Sequence, residues 1–556
     1  MEHPQSSSAS EKPLLAAIAV VLAAYLLSAA FGLPQEGARK VAEAQHHQAA
    51  NQAEGAETSP GKEQTSGEQP GESAAHPGAD HAQPVAGEAL PSAAGHAAHP
   101  PFWMVAPFVL LLGAIAVLPL VPFTEHWWES NLHRFYVAAV LGAATLGYYA
   151  LFYAGGVTAH WPAHAEIVAE ASGWLKAATV FANGILNEYI PFIMLLFSLY
   201  TISGGIRIEG DLRAHPLTNS LFIAAGGLLA SFVGTTGAAM LLIRPLLETN
   251  RERKHVVHTV IFFTFVVCNC GGCLLPIGDP PLFLGYLRGV RFLWTFGLWP
   301  EWLFVNVILV GIYYLWDHFW CYPHEKKPDI ALDETRVRGL KFSGLWPNAL
   351  LLLGVIFSVA LLDPSKRLPG TDWRPWLYLR EITQLVLVAL SLLLGSRAVR
   401  AANYFNYHAI IEVAALFFGI FICMQPPLEI LHVRGPNLGL EAPWQFFWTT
   451  GSLSSVLDNA PTYVVFFETA NSLTQAPGPG TLQLTGGGYI REDLLVGIAL
   501  GAVFMGAMTY IGNGPNFMVK AIAEKSGVRM PSFFGYMVYS CLILLPLLVI
   551  TTLIFL

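Results

Sequence analysis

The sequence predicts an all-α polytopic membrane protein made of two inverted repeats, each carrying a re-entrant helical hairpin and a broken transmembrane helix. Three observations lead there. The 556 residues are 54% hydrophobic and only 12% charged, with a mean hydropathy of +0.49, too apolar for a core surrounded by water. Stretches of about 18 or more apolar residues recur, each long enough at about 1.5 Å per residue to cross a hydrocarbon layer of about 30 Å. Two Gly- and Pro-containing motifs, Ile277-Gly278-Asp279-Pro280-Pro281-Leu282-Phe283 and Ile511-Gly512-Asn513-Gly514-Pro515-Asn516-Phe517, interrupt apolar segments in corresponding places of the two halves.

Residues 1–33 hold the apolar run Leu14 to Phe31 behind a short polar start, with Ser28-Ala29-Ala30 as a small-residue cleavage site. This is the pattern of a signal peptide or a signal anchor. Residues 34–101 turn to Ala, Gly, Gln, Glu, Ser, Pro and His without apolar periodicity, the composition of a disordered extracytoplasmic tail. Its scattered histidines, 46, 47, 76, 81, 96 and 99, form no ligand motif. The first transmembrane repeat is then 102–320, a cytoplasmic linker 321–344, and the second, inverted repeat 345–556. Spans are expected near 104–122, 134–154, 187–206, 257–287 (interrupted), 297–320, 345–362, 381–396, 408–425, 492–519 (interrupted) and 535–556.

Segments 217–247 and 443–470 are too long for one upright span and too short for two with a turn. Lys and Arg accumulate on the cytoplasmic side of short loops. Arg207 and Arg213 before the first segment, and Arg251, Arg253 and Lys254 after it, therefore place both its ends on one face. Carrying that parity along the chain puts loops 321–344, 397–407 and 520–534 inside and opens the second hairpin outward. One loop dissents: 363–380 holds Lys366, Arg367, Arg374 and Arg380 on the outside.

A helix interrupted in the membrane exposes backbone N–H and C=O groups, which is tolerable only where they face protein, water or an ion. The two motifs therefore mark a cavity. Each follows a hairpin with a polar tip, Gly234-Thr235-Thr236-Gly237 in the first half and Asp458-Asn459-Ala460-Pro461-Thr462 in the second. A carboxylate near mid-bilayer costs about 2.5 to 3.5 kcal/mol even on the lenient insertion scale, so Asp279 and Asp458 are expected to carry function. Capping of short helices is the plain alternative. Thr235, Thr236, Asn269, Gly278, Asn459, Thr462, Thr509, Asn513 and Asn516 supply oxygen, amide or backbone contacts suited to Na+ or to a carboxylate. Glu412 is a weaker proton-carrier candidate. Glu188 and Glu468 are expected at the solvated membrane surface; Arg244, just past the first hairpin tip, is expected to reach the cytoplasmic interface, with binding of a substrate anion as the alternative.

Several classes drop out. A net charge of −8 offers no basic surface for nucleic acid. Cys268-Asn269-Cys270-Gly271-Gly272-Cys273 lacks a fourth ligand for a structural zinc and is read as packing. Neither a His-Glu-x-x-His nor a Gly-x-Ser-x-Gly motif is present, so the chain is not read as an enzyme. No cofactor is expected beyond Na+ as transported or coupling ion, and the lipid bilayer of the bacterial inner membrane is the expected surrounding.

At these residues the chain, over about 104–556, resembles the ion transporter superfamily, which includes D-type bacterial sodium/proton antiporters, arsenite pumps, and citrate and dicarboxylate carriers. Asn269-Cys270-Gly271-Gly272 with Pro276-Ile277-Gly278-Asp279 is similar to the antiporters' broken-helix motif, and Asp458-Asn459-Ala460-Pro461-Thr462 to their second hairpin tip. Pro280-Pro281-Leu282 departs from the hydroxyl residues that follow the aspartate in the antiporters. The nearest branch is labelled either citrate transporter or sodium:proton antiporter. The resemblance implies a homodimer with a scaffold domain and a moving transport domain. The leading expectation is Na+/H+ exchange by alternating access on Asp279 and Asp458; the alternative is cation-coupled transport of citrate or another carboxylate.

Overall fold

The computed structural model describes residues 7–57, 99–163, 165–326, 328, 337–474, 476–485 and 487–556. These are mostly helical, with three two-stranded antiparallel ribbons in the loops. Glu11–Ala30, Asn131–Leu151, Gly173–Ser203, Pro216–Val233, Trp294–His324 and Phe533–Phe555 are long and apolar enough to cross a membrane. His408–Cys423 and Gln425–Leu438, bent by 41°, make a further span when read together. The protein is a multi-pass membrane protein.

The first half runs through Ala106–Val117, Asn131–Leu151 and the long helix Gly173–Ser203, then the packed pair Pro216–Val233 and Thr235–Thr249. It continues with the interrupted helix Val257–Val266, Cys270–Cys273 and Pro280–Leu287, and closes with Trp299–Trp316. The second half repeats that order: Leu345–Leu361, Leu379–Leu394, the bent helix from His408, then the packed pair Pro443–Ser454 and Asn459–Leu473. Its interrupted helix is Glu492–Met505, Gly506–Met508 and Gly514–Lys525, followed by Phe533–Phe555.

The halves are packed by exchange. Asn131–Leu151 lies along His408–Cys423, and Ile190–Ser203 along Leu379–Leu394, so the second helix of each half rests on the third of the other. Thr235–Thr249 packs on Gly514–Lys525, and Asn459–Leu473 on Pro280–Leu287, by the same rule. Lipid tails are as apolar as the side chains they touch, so close approach over small residues holds such contacts. Gly419 is one: a Cβ there would lie 2.6 Å from the carbonyl oxygen of Ala138. A ribbon also joins the halves, Arg207–Asp211 pairing antiparallel with Arg338–Ser343.

Two regions differ from expectation. Leu33–Glu57 is helical where composition predicted a disordered tail, because its Ala, Glu and Gln are strong helix formers and Glu36–Lys40 and Arg39–Glu43 pair one turn apart. The rest of that tail to residue 98, with histidines 76, 81 and 96, lies outside the described residues. The basic residues of segment 363–380, which dissented from the charge parity, are matched locally: Lys366 with Asp363 at 3.5 Å, Arg367 with Asp372 at 2.8 Å and Arg380 with Glu381 at 2.6 Å.

Candidate functional site

Asp279 is the centre, buried to 1% exposure. Pro280 and Pro281 open the helix behind it and have no N–H to offer, so the carboxylate makes no cap bond to its own helix. Instead it accepts three side-chain hydrogen bonds from three other elements: Thr235 Oγ1 at 2.9 Å, Asn459 Nδ2 at 2.7 Å and Asn513 Nδ2 at 3.1 Å. Both packed helix pairs and both interrupted helices therefore meet at one carboxylate.

Each donor is placed by a local break. Gly234, at φ +80°, makes the turn that lets Thr235 begin its helix, and the Thr235 backbone N–H bonds Gly278 O at 2.8 Å. A Cβ on Gly278 would lie 2.2 Å from Gly272 O, and one on Gly512 2.6 Å from Gly506 O, so both breaks close backbone on backbone. Asn459 is the first residue of its helix and Asn513 immediately precedes Gly514–Lys525.

Around the carboxylate runs a lattice of amides. Asn269 Nδ2 donates to Thr264 O at 2.9 Å and Asn516 Oδ1 at 2.8 Å, while Asn513 Nδ2 also approaches Cys268 O and Asn269 Oδ1. Asn516 Nδ2 donates to Gly506 O and Thr509 O, both at 2.9 Å. Thr509 Oγ1 donates to Ser455 O at 2.5 Å. The carbonyls left by the interrupted helices are thus paired by side-chain amides, as burial in a bilayer requires.

The ten other expected site residues sort unevenly around Asp279. Thr235, Asn459 and Asn513 touch it; Asn269, Asn516 and Thr509 support the breaks; Gly278 lies at the closure of its own. Thr236 is half-buried in the turn after Thr235, and Thr462 Oγ1 bonds Asp458 O at 3.0 Å, within its own helix turn. Asp458 is half-buried and caps its helix through Ala460 N at 3.0 Å. Capping therefore holds for Asp458 and fails for Asp279.

Glu188 and Glu468, expected at the solvated surface, are instead drawn together by one arginine. Glu188 is buried, not solvated, because Arg288 lies 2.8 Å away, and the same guanidinium reaches Glu468 at 3.2 Å. Glu412 pairs with Arg134 at 3.0 Å. Arg244 reaches Asn403 O and the ring face of Tyr404 in loop 397–407, the loop towards which it was expected to extend. Single-sequence reading missed these partners because each lies in another half or a distant loop. Cys268, Cys270 and Cys273 are buried in the apolar core.

Residues 97–556 match the family described as "Putative citrate transport". The chain belongs to this family. The family membership agrees with the citrate side of the resemblance drawn from the motifs and lends nothing to its antiporter side. It also makes the chain a membrane transporter. A search of the curated proteins returned no match.

Proposed function

We propose that this family member is a secondary active transporter for citrate or a related carboxylate, driven by a cation bound at Asp279. One observation carries the reading. Four helices, Thr235–Thr249, Pro280–Leu287, Asn459–Leu473 and Gly514–Lys525, all begin at the hydrogen-bonded centre around Asp279. A helix N-terminus carries about half a positive charge, and four of them make a field that favours carboxylates. The opposing carbonyl ends are largely occupied by Asn269, Asn513 and Asn516.

Asp279 supplies the cation half. Among the described residues its partners are neutral and no ion pair includes it. An unpaired carboxylate in the membrane interior invites Na+ or H+. The common element order and exchanged packing support a reading as inverted repeats whose helix pairs are re-entrant hairpins; on that reading the site belongs at mid-membrane between repeats. Alternating access then moves this four-element unit against the helices around it, in a homodimer in the bacterial inner membrane.

The same unpaired carboxylate favours Na+/H+ exchange as the second reading. Proteoliposome flux separates the two. Labelled citrate is expected to accumulate under an imposed Na+ or H+ gradient, and Asp279→Asn to slow it at least tenfold. Citrate excluded under every gradient, with Na+ driving proton counterflow, would replace this reading with the antiporter.

A further inference from the structure

The two helices that meet at Asp279 from opposite halves also meet at their other ends. Pro280–Leu287 finishes on Arg288, and Asn459–Leu473 carries Glu468 in its last turns. They pack side by side, with Gly285 so close to Tyr463 that a Cβ would lie 2.2 Å from its hydroxyl oxygen. Glu188 reaches the pair from Ala182–Tyr189, a π-helical segment within Gly173–Ser203. Such segments are frequent at functional sites.

Arg288 Nη2 is 2.8 Å from Glu188 Oε1 and its Nε 3.2 Å from Glu468 Oε1, with the side chains at most 19% exposed. Two carboxylates share one guanidinium, leaving one negative charge in excess. Glu188 Oε2 and Arg288 Nη1 have no hydrogen-bond partner among the described residues. An uncompensated buried charge costs several kcal/mol, and one added cation removes it. Among the described residues, Tyr463 is the further titratable group whose charge Arg288 influences.

We propose that Glu188, Arg288 and Glu468 form a second cation site, for a proton, whose occupancy decides whether the Asp279 helix pair stays tied to Gly173–Ser203. The proton comes from outer water and adds to Glu188, converting a charged tie into a neutral one that the helix pair can leave. Proton binding stands by itself; only its consequence for transport rests on the reading of Asp279 given above.

The test melts the purified full-length protein in detergent across pH without substrate. Wild type is expected to show a pH-dependent step in melting temperature that Glu188→Gln loses and Asp279→Asn keeps; Glu468→Gln is the second variant if the first does not fold. A Glu188→Gln profile identical to wild type, or loss of the step in Asp279→Asn, overturns the proposal. Because no citrate is present, failure of the transport reading leaves this result interpretable.

Discussion

At the scale of the residue, two aspartates that look alike in the sequence are bonded differently. Asp279 stands before two prolines and turns its carboxylate to three donors from elsewhere; Asp458 stands before Asn459 and Ala460 and spends an oxygen on the Ala460 N–H. An N-cap accepts Asn about as well as Asp, whereas Ala costs about 1 kcal/mol. Asp458→Asn should therefore leave detergent melting close to wild type and keep uptake within about threefold, while Asp458→Ala lowers the melting point. If Asp458→Asn abolished uptake as Asp279→Asn is expected to, Asp458 would be a second ligand and not a cap. Asn513 occupies in the second break the position that Asp279 has in the first, so one carboxylate and one amide face each other across the site, 3.1 Å apart.

At the scale of the element, segment 363–380 shows basic residues neutralised by local pairing. Asp363 is pushed up by burial, but Lys366 and Arg380 outweigh that and hold its carboxyl below the ordinary carboxylate value. A depressed folded value means stabilisation that is present above the unfolded value of about 3.9 and is lost as pH falls through the folded one. Asp363→Asn should thus lower the melting temperature at neutral pH and make little difference in strong acid; an equal loss at both would mean that the carboxylate charge is not what matters. The turns between the paired helices and the breaks were legible in the sequence because Gly234, Gly278 and Pro280 are cheap only where a helix stops. The donors to Asp279 were legible as polar tips, but their convergence on one carboxylate was not. Nor were Arg288 with Glu188 and Glu468, since pairs separated by 100 and 180 residues leave no local pattern. Helix Leu33–Glu57 was hidden for a different reason: composition without apolar periodicity does not distinguish a solvated helix from coil.

At the scale of the whole molecule, the two halves are joined along an extended seam of exchanged helix contacts. Asn131–Leu151 is covered by His408–Cys423, Ile190–Ser203 by Leu379–Leu394, and each interrupted helix by the other half's helix pair. Asp279 itself takes one bond from its own half and two from the other. If these exchanged contacts hold the halves together, chain continuity between residues 328 and 337 contributes little beyond keeping the partners near each other. Fragments 1–330 and 334–556 made in one cell should therefore associate, purify together and retain citrate uptake within about tenfold of the intact chain, whereas either alone should be degraded, its faces for the other half exposed to lipid. Recovery of a stable, folded fragment 334–556 by itself would mean that the second half has a core of its own, and the site at Asp279 would then be a docking contact between two finished domains.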